Sequence, residues 1–60
     1  MPSDPAEAAL LGQLSSDPLH VDELVRATDL PIHLVSSTLT MMELKGMISN
    51  VGGQQYVLAR

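Results

Sequence analysis

Apolar residues recur at helical spacing three times along this chain, and then the period changes. Leu10, Leu11 and Leu14 share one helical face. Ahead of them, Asp4 suits an N-cap, Pro5 the first helical position and Glu7 the N3 position of a capping box. The pattern predicts a first helix from Pro5 to about Leu14, broken by Ser15-Ser16-Asp17-Pro18. Leu19 and His20 read as a short extended connector, and Leu19–Val21 is a candidate third strand beside the hairpin below. Val21, Leu24, Val25 and Thr28 stand at i, i+3, i+4 and i+7, the mark of a second, short helix. Asp22 and Glu23 in its first turn and Arg26 near its end agree with the helix dipole. Asp29 tolerates the left-handed conformation that stops it, though Gly would do so at lower cost. Leu30-Pro31 opens a third helix, Ile32 to Lys45. At about 100° per residue, Val35, Leu39 and Met42 fall on one face of it, flanked by Ile32 and Thr38. Gly46 is its stop.

Beyond Gly46, two β-prone runs, Met47–Val51 and Gln54–Ala59, flank Gly52-Gly53. Two glycines between such runs predict a type I′ hairpin, whose central positions both need positive φ. A lone hairpin is unstable in water, so its inward residues, expected to be Ile48, Tyr56 and Leu58, must pack on the helices. The predicted fold is mainly α with a small β-hairpin: a winged helix-turn-helix of three helices plus wing. Residues 1–4 are expected to be a frayed N-terminus and residues 5–60 the single domain.

Composition narrows the function more than the fold. A chain of 60 residues has room for one small core. Domains of that size bury only about 60% of their unfolded surface. Tyr56 is the only aromatic residue, so the core must be aliphatic. With no Cys, disulfides and thiolate metal sites are excluded. No run of about 18 apolar residues spans a bilayer, and the N-terminus has no signal-peptide pattern. The chain is expected to act in the cytoplasm, away from membranes. Its net charge is −4, whereas a stand-alone nucleic-acid binder carries a basic stripe.

Three stretches resemble the winged-helix domain at the C-terminus of the DprA/Smf DNA-processing family. They are Pro18-Leu19-His20-Val21-Asp22-Glu23-Leu24, Leu30-Pro31 with Val35-Ser36, and Met42-Glu43-Leu44-Lys45-Gly46-Met47-Ile48. Gly52-Gly53-Gln54-Gln55-Tyr56-Val57 is similar to that family's wing. The close of the third helix also resembles other bacterial winged helices, including MarR-like regulators. Two departures stand out. Asp29 replaces a common Gly, and the wing, Ser49 to Gln55, lacks the Arg or Lys of many relatives. The resemblance implies a parent protein that handles single-stranded DNA in natural transformation and loads RecA onto it through a separate Rossmann-like domain. This chain would then be an accessory domain of that bacterial competence protein.

Six residues of the third helix, His33, Ser36, Ser37, Thr40, Met41 and Leu44, are expected to face away from the core, with Lys45 at its end. In a major groove such positions read base edges. Base and phosphate contacts favour Arg, Lys, Asn and Gln, and the six positions hold none. Arg26, Lys45 and Arg60 are spread over three elements against seven carboxylates, too few for strong counterion release. Met41 and Leu44, with Leu34 at the margin, suit a protein contact instead, although Leu44 packed under the wing would remove that meaning. The wing residues Gly52, Gly53, Gln54 and Gln55 complete the candidate surface. His20 and His33 lie on different elements without the further ligands a zinc site needs. Asp4 with Glu7 and Asp22 with Glu23 are explained by helix starts, and no serine has a His-Asp constellation. Of the methionines, Met42 is expected in the core, which leaves only Met41 and Met47 for an adaptable binding surface, so the core-filling reading is favoured over that surface. The chain is therefore expected to be non-catalytic, with no cofactor, metal or small-molecule substrate. Its expected partner is another protein or a second copy of itself, with weak DNA contact possible. The alternatives are a DNA-binding winged helix, in the parent or in a MarR-like regulator, and a folded linker.

Overall fold

A computed structural model describes residues 4–59. The order along the chain is α1 (Pro5–Gln13), β1 (Leu19–His20), α2 (Val21–Thr28), α3 (Ile32–Leu44), β2 (Ile48–Asn50) and β3 (Gln55–Leu58). This is the winged helix-turn-helix expected from the sequence: three helices and a small antiparallel sheet. The frayed N-terminus, Met1 and Arg60 lie outside the described residues, except that Asp4 is placed as the cap of α1.

Each helix packs on the other two, and β2 packs on α3. Leu10 and Leu14, Val21 and Leu24, Val35, Leu39 and Met42, and Ile48 form one core. Leu11, Leu19, Val25, Leu30, Met47 and Tyr56 pack around it, half-buried. Of the two remaining methionines, Met47 packs against the core and Met41 stands exposed. Leu58, expected inward, is not buried, and neither is Ile32, a flank of the α3 face. Ile32 is exposed, since it stands in the first turn of α3 at the margin of the buried stripe. Leu58 is exposed too, at the far end of β3, a strand held mainly by its two neighbours.

The helix ends follow local chemistry. Asp4 Oδ1 accepts from the Ala6 and Glu7 amides at 2.8 and 3.4 Å. Glu7 does not complete the expected capping box; its Oε2 accepts from Lys45 Nζ instead. A capping box forms instead at α2. His20 Nδ1 accepts from the Asp22 amide at 3.0 Å, and Glu23 Oε1 accepts from the His20 amide at 3.2 Å. His20, extended as the connector reading has it, is therefore also the N-cap of α2. Two helices end one residue sooner than expected, with Leu14 and Lys45 as their C-caps. After α3, Gly46 takes φ +78°, the Gly46 amide donates to Glu43 O at 3.0 Å, and the Met47 amide donates to Met42 O at 2.9 Å. That is a Schellman motif, and it turns the chain sharply into β2.

Asp29 ends α2 at φ 59° and ψ 27°, the left-handed region expected of it. A residue with a Cβ is held there at a cost. Asp29→Gly is expected to stabilise the domain by a few tenths to about 1 kcal/mol, read as a raised urea midpoint.

The sheet order is β1-β3-β2, all antiparallel. Leu19 pairs with Tyr56, His20 with Gln55, and Asn50 with Tyr56 across the hairpin. The third strand is thus present as Leu19–His20, and the Val21 amide extends the ladder by donating to Gln54 O at 3.0 Å. The hairpin turn is displaced by one residue from expectation. The Gln55 amide donates to Gly52 O at 3.1 Å, so Gly53 and Gln54, both at φ 59°, are the central pair. Gly52, at φ 98°, instead gives its amide to Asn50 Oδ1 at 2.8 Å. This Asn50 bond gives Gly52 an amide partner outside the strand ladder, and four residues, Val51, Gly52, Gly53 and Gln54, separate β2 from β3.

Candidate interaction face on the third helix

Burial of Val35, Thr38, Leu39 and Met42 fixes how α3 is rotated. His33, Ser36, Ser37, Thr40, Met41 and Leu44 are therefore all exposed, as their spacing predicted. Leu44 is 77% exposed and Met41 51%, so Leu44 does not pack under the wing. Leu34, marginal in sequence, is 41% exposed. At about 100° per residue Leu34, Met41 and Leu44, with Ser37 among them, make one stripe along the helix.

The polar groups on this face are largely committed to the helix itself. Ser37 Oγ donates to His33 O at 3.0 Å and sits 3.3 Å from Leu34 O, and Thr40 Oγ1 donates to Ser36 O at 3.0 Å. Their hydroxyl protons are thus unavailable to a ligand without breaking those bonds. Lys45, the one cation of this surface among the described residues, is also engaged. Its Nζ donates to Glu7 Oε2 at 2.7 Å, and the Glu7 side chain is only 5% exposed. A buried carboxylate thus neutralises the charge that would otherwise meet a phosphate. The wing offers Gly52, Gly53, Gln54 and Gln55, all exposed and without charge. Gly52, Gly53 and Gln54 lie in the connection between β2 and β3 and Gln55 opens β3, while Arg26 is exposed on α2.

Between α1 and α3 lies a groove of about 290 Å³. Leu34, Ser37, Thr38 and Met41 line it, and Asp4, Glu7 and Lys45 complete its lining. Among the described residues no three His, Asp or Glu side chains stand close enough to hold a metal ion, and no helix is long and apolar enough to cross a membrane.

The family model of the DprA winged helix domain matches residues 1–54. The chain belongs to this family. No curated protein and no solved structure matches it. Within the DprA winged-helix domain, α2 and α3 are the helix-turn-helix pair and β2–β3 the wing.

The Glu7–Lys45 pair was not anticipated from sequence, and neither was the groove it borders. One signal was there. Glu7 precedes Leu10, Leu11 and Leu14 at i−3, i−4 and i−7, so it lies on the apolar face of α1. A carboxylate on a buried face demands a cation, and the partner is 38 residues away in sequence.

Proposed function

We propose that this chain is a non-catalytic accessory domain of a DprA-like DNA-processing protein, and that it works in the cytoplasm by docking on another protein or on a second copy of itself. The parent would handle single-stranded DNA and load RecA in natural transformation, as its family resemblance implies. The exposed stripe of Leu34, Met41 and Leu44 carries this reading. A contiguous apolar patch with a polar rim marks an interaction site. Lone exposed apolar side chains need no such account, but three on one face of one helix do.

A second reading, contact with duplex DNA, is favoured by the exposed outer face of α3 beside a wing. Its charges oppose it, because Lys45 is paired and the wing is neutral. The deciding measurement is an NMR titration of the 60-residue chain with short single- and double-stranded DNA at low salt. The expected result is no salt-sensitive shift on α3 or the wing. Such shifts would make this a DNA-binding module, in the parent or in a regulator.

Met41→Asp or Leu44→Asp is expected to weaken self-association or partner binding while leaving the urea midpoint nearly unchanged. Both side chains are more than half exposed, so a surface charge costs the fold within about 0.5 kcal/mol. Association that survives either change, or a loss that tracks unfolding, would sink the docking proposal.

A further inference from the structure

The groove between α1 and α3 differs in character from the rest of the outer face. Its apolar part is Leu34 and Met41, two turns apart on the stripe, with the buried Thr38 on the turn between them. Its other end is acidic. Both amide bonds to Asp4 end on Oδ1, which leaves Oδ2 free of amide partners among the described residues. Lys45 beside it is already occupied by Glu7, so it does not offset Asp4. At about 290 Å³ the groove is small for a drug-sized ligand, whose sites run about 300–1,000 Å³. That volume has room for a few inserted side chains.

Charge decides what those side chains belong to. With Glu7 and Lys45 paired, the described residues retain Asp4, Asp17, Asp22, Glu23, Asp29 and Glu43 against Arg26. A second copy would bring the same excess of carboxylates to the same groove, and nucleic acid would bring phosphates. Like charges in juxtaposition disfavour both partners, whereas a positive segment is attracted and steered.

Resting on the docking function proposed above, we infer that this groove receives a basic amphipathic helix of a different protein. Aliphatic side chains of that helix sit on Leu34 and Met41, and a Lys or Arg reaches Asp4. This is helix-in-groove recognition, with anchors at i, i+3, i+4 and i+7. The short apolar floor sets the register, and the carboxylate selects the sign of the partner.

The test uses the 60-residue chain and two synthetic helical peptides. Both carry Leu at i, i+3, i+4 and i+7; one has Lys at the remaining positions and the other Glu. In an NMR titration the Lys peptide is expected to shift the amides of Leu34, Ser37, Met41 and Lys45, and the Glu peptide to leave them unmoved. Asp4→Asn preserves the helix cap, since Asn caps as well as Asp. It should weaken the Lys peptide about fivefold, the size of one partly exposed ion pair. Equal binding of both peptides, shifts centred elsewhere, no response to the Lys peptide, or undiminished affinity in Asp4→Asn would each overturn the inference. Concentration-dependent shifts at these residues without peptide would also overturn it, in favour of a second copy, and would leave the docking function standing.

Discussion

Leu39→Ala is expected to cost about 2–5 kcal/mol and to leave much of the protein unfolded at room temperature. Leu39 is 0% exposed on α3, in the core shared with α1 and α2. Truncating it removes the transfer free energy of its buried carbons and opens a cavity the neighbours cannot fully close. The loss matters because the core is small. A single core in a domain this short rarely supplies more than about 3–5 kcal/mol. The control lies five residues on, in the same helix. Leu44→Ala is the same chemical change at 77% exposure and is expected to shift stability by less than about 0.5 kcal/mol. Urea unfolding followed by far-UV circular dichroism distinguishes them. Similar midpoints for the two variants would mean that α3 is rotated differently from the structure described, and the interaction face would be misplaced with it.

The second large effect is an asymmetry in the Glu7–Lys45 pair. Lys45→Met is expected to cost about 1–3 kcal/mol, and Glu7→Gln less than about 1 kcal/mol. The Glu7 side chain is 5% exposed and the Lys45 side chain 44%. Removing Lys45 strands a buried carboxylate with no counter-charge. Removing the charge on Glu7 leaves an ammonium that already stands half in water and can turn toward it. The figure for Lys45 is kept below that of a fully buried pair because of this exposure. The double variant Glu7→Leu/Lys45→Met should recover most of the loss, since apolar groups of similar volume often replace a buried pair at little cost. Urea midpoints of the three variants, compared at constant m-value, test this. Equal losses for the two single changes would show that the pair is an ordinary surface contact.

This pair also joins stability to function. It ties the first turn of α1 to the C-cap of α3, and both its members line the groove proposed for a partner helix. The same bond removes the one cation that the DNA reading requires on this face. A weak contact with DNA would then depend on tethering to the parent, which raises effective concentration without new charge.

Much of the architecture was legible because it rests on local rules. The i, i+3, i+4, i+7 spacing of Val21, Leu24, Val25 and Thr28 marked α2, and Val35, Leu39 and Met42 marked the buried side of α3. Once those residues are inside, His33, Ser36, Ser37, Thr40, Met41 and Leu44 must face out, so most of the candidate face followed from a period alone. Gly46 and Asp29 marked stops because only a few residue types accept positive φ.

The misjudged positions are those where distant neighbours compete with local preference. Glu7 had the right spacing for a capping box, but a lysine from the other end of the helical layer offered a charge-assisted bond. The hairpin turn had two adjacent glycines, but the Asn50 side chain took the Gly52 amide and moved the tight turn onto Gly53 and Gln54. Ile32 and Leu58 are apolar residues that regular patterning sends inward, yet neither has a packed element over it.

The sequence by itself determined the helices, their stops, the sheet-forming tail, the outward face of α3 and the acidic surplus, because periodicity, φ preference and charge are properties of the chain. Only the tertiary structure decided that Lys45 is neutralised, that Leu44 stands free of the wing, and that Leu34 and Met41 share a groove with Asp4. These depend on which surfaces meet when three helices pack around one core, and pairing between residues so far apart leaves no local trace along the chain.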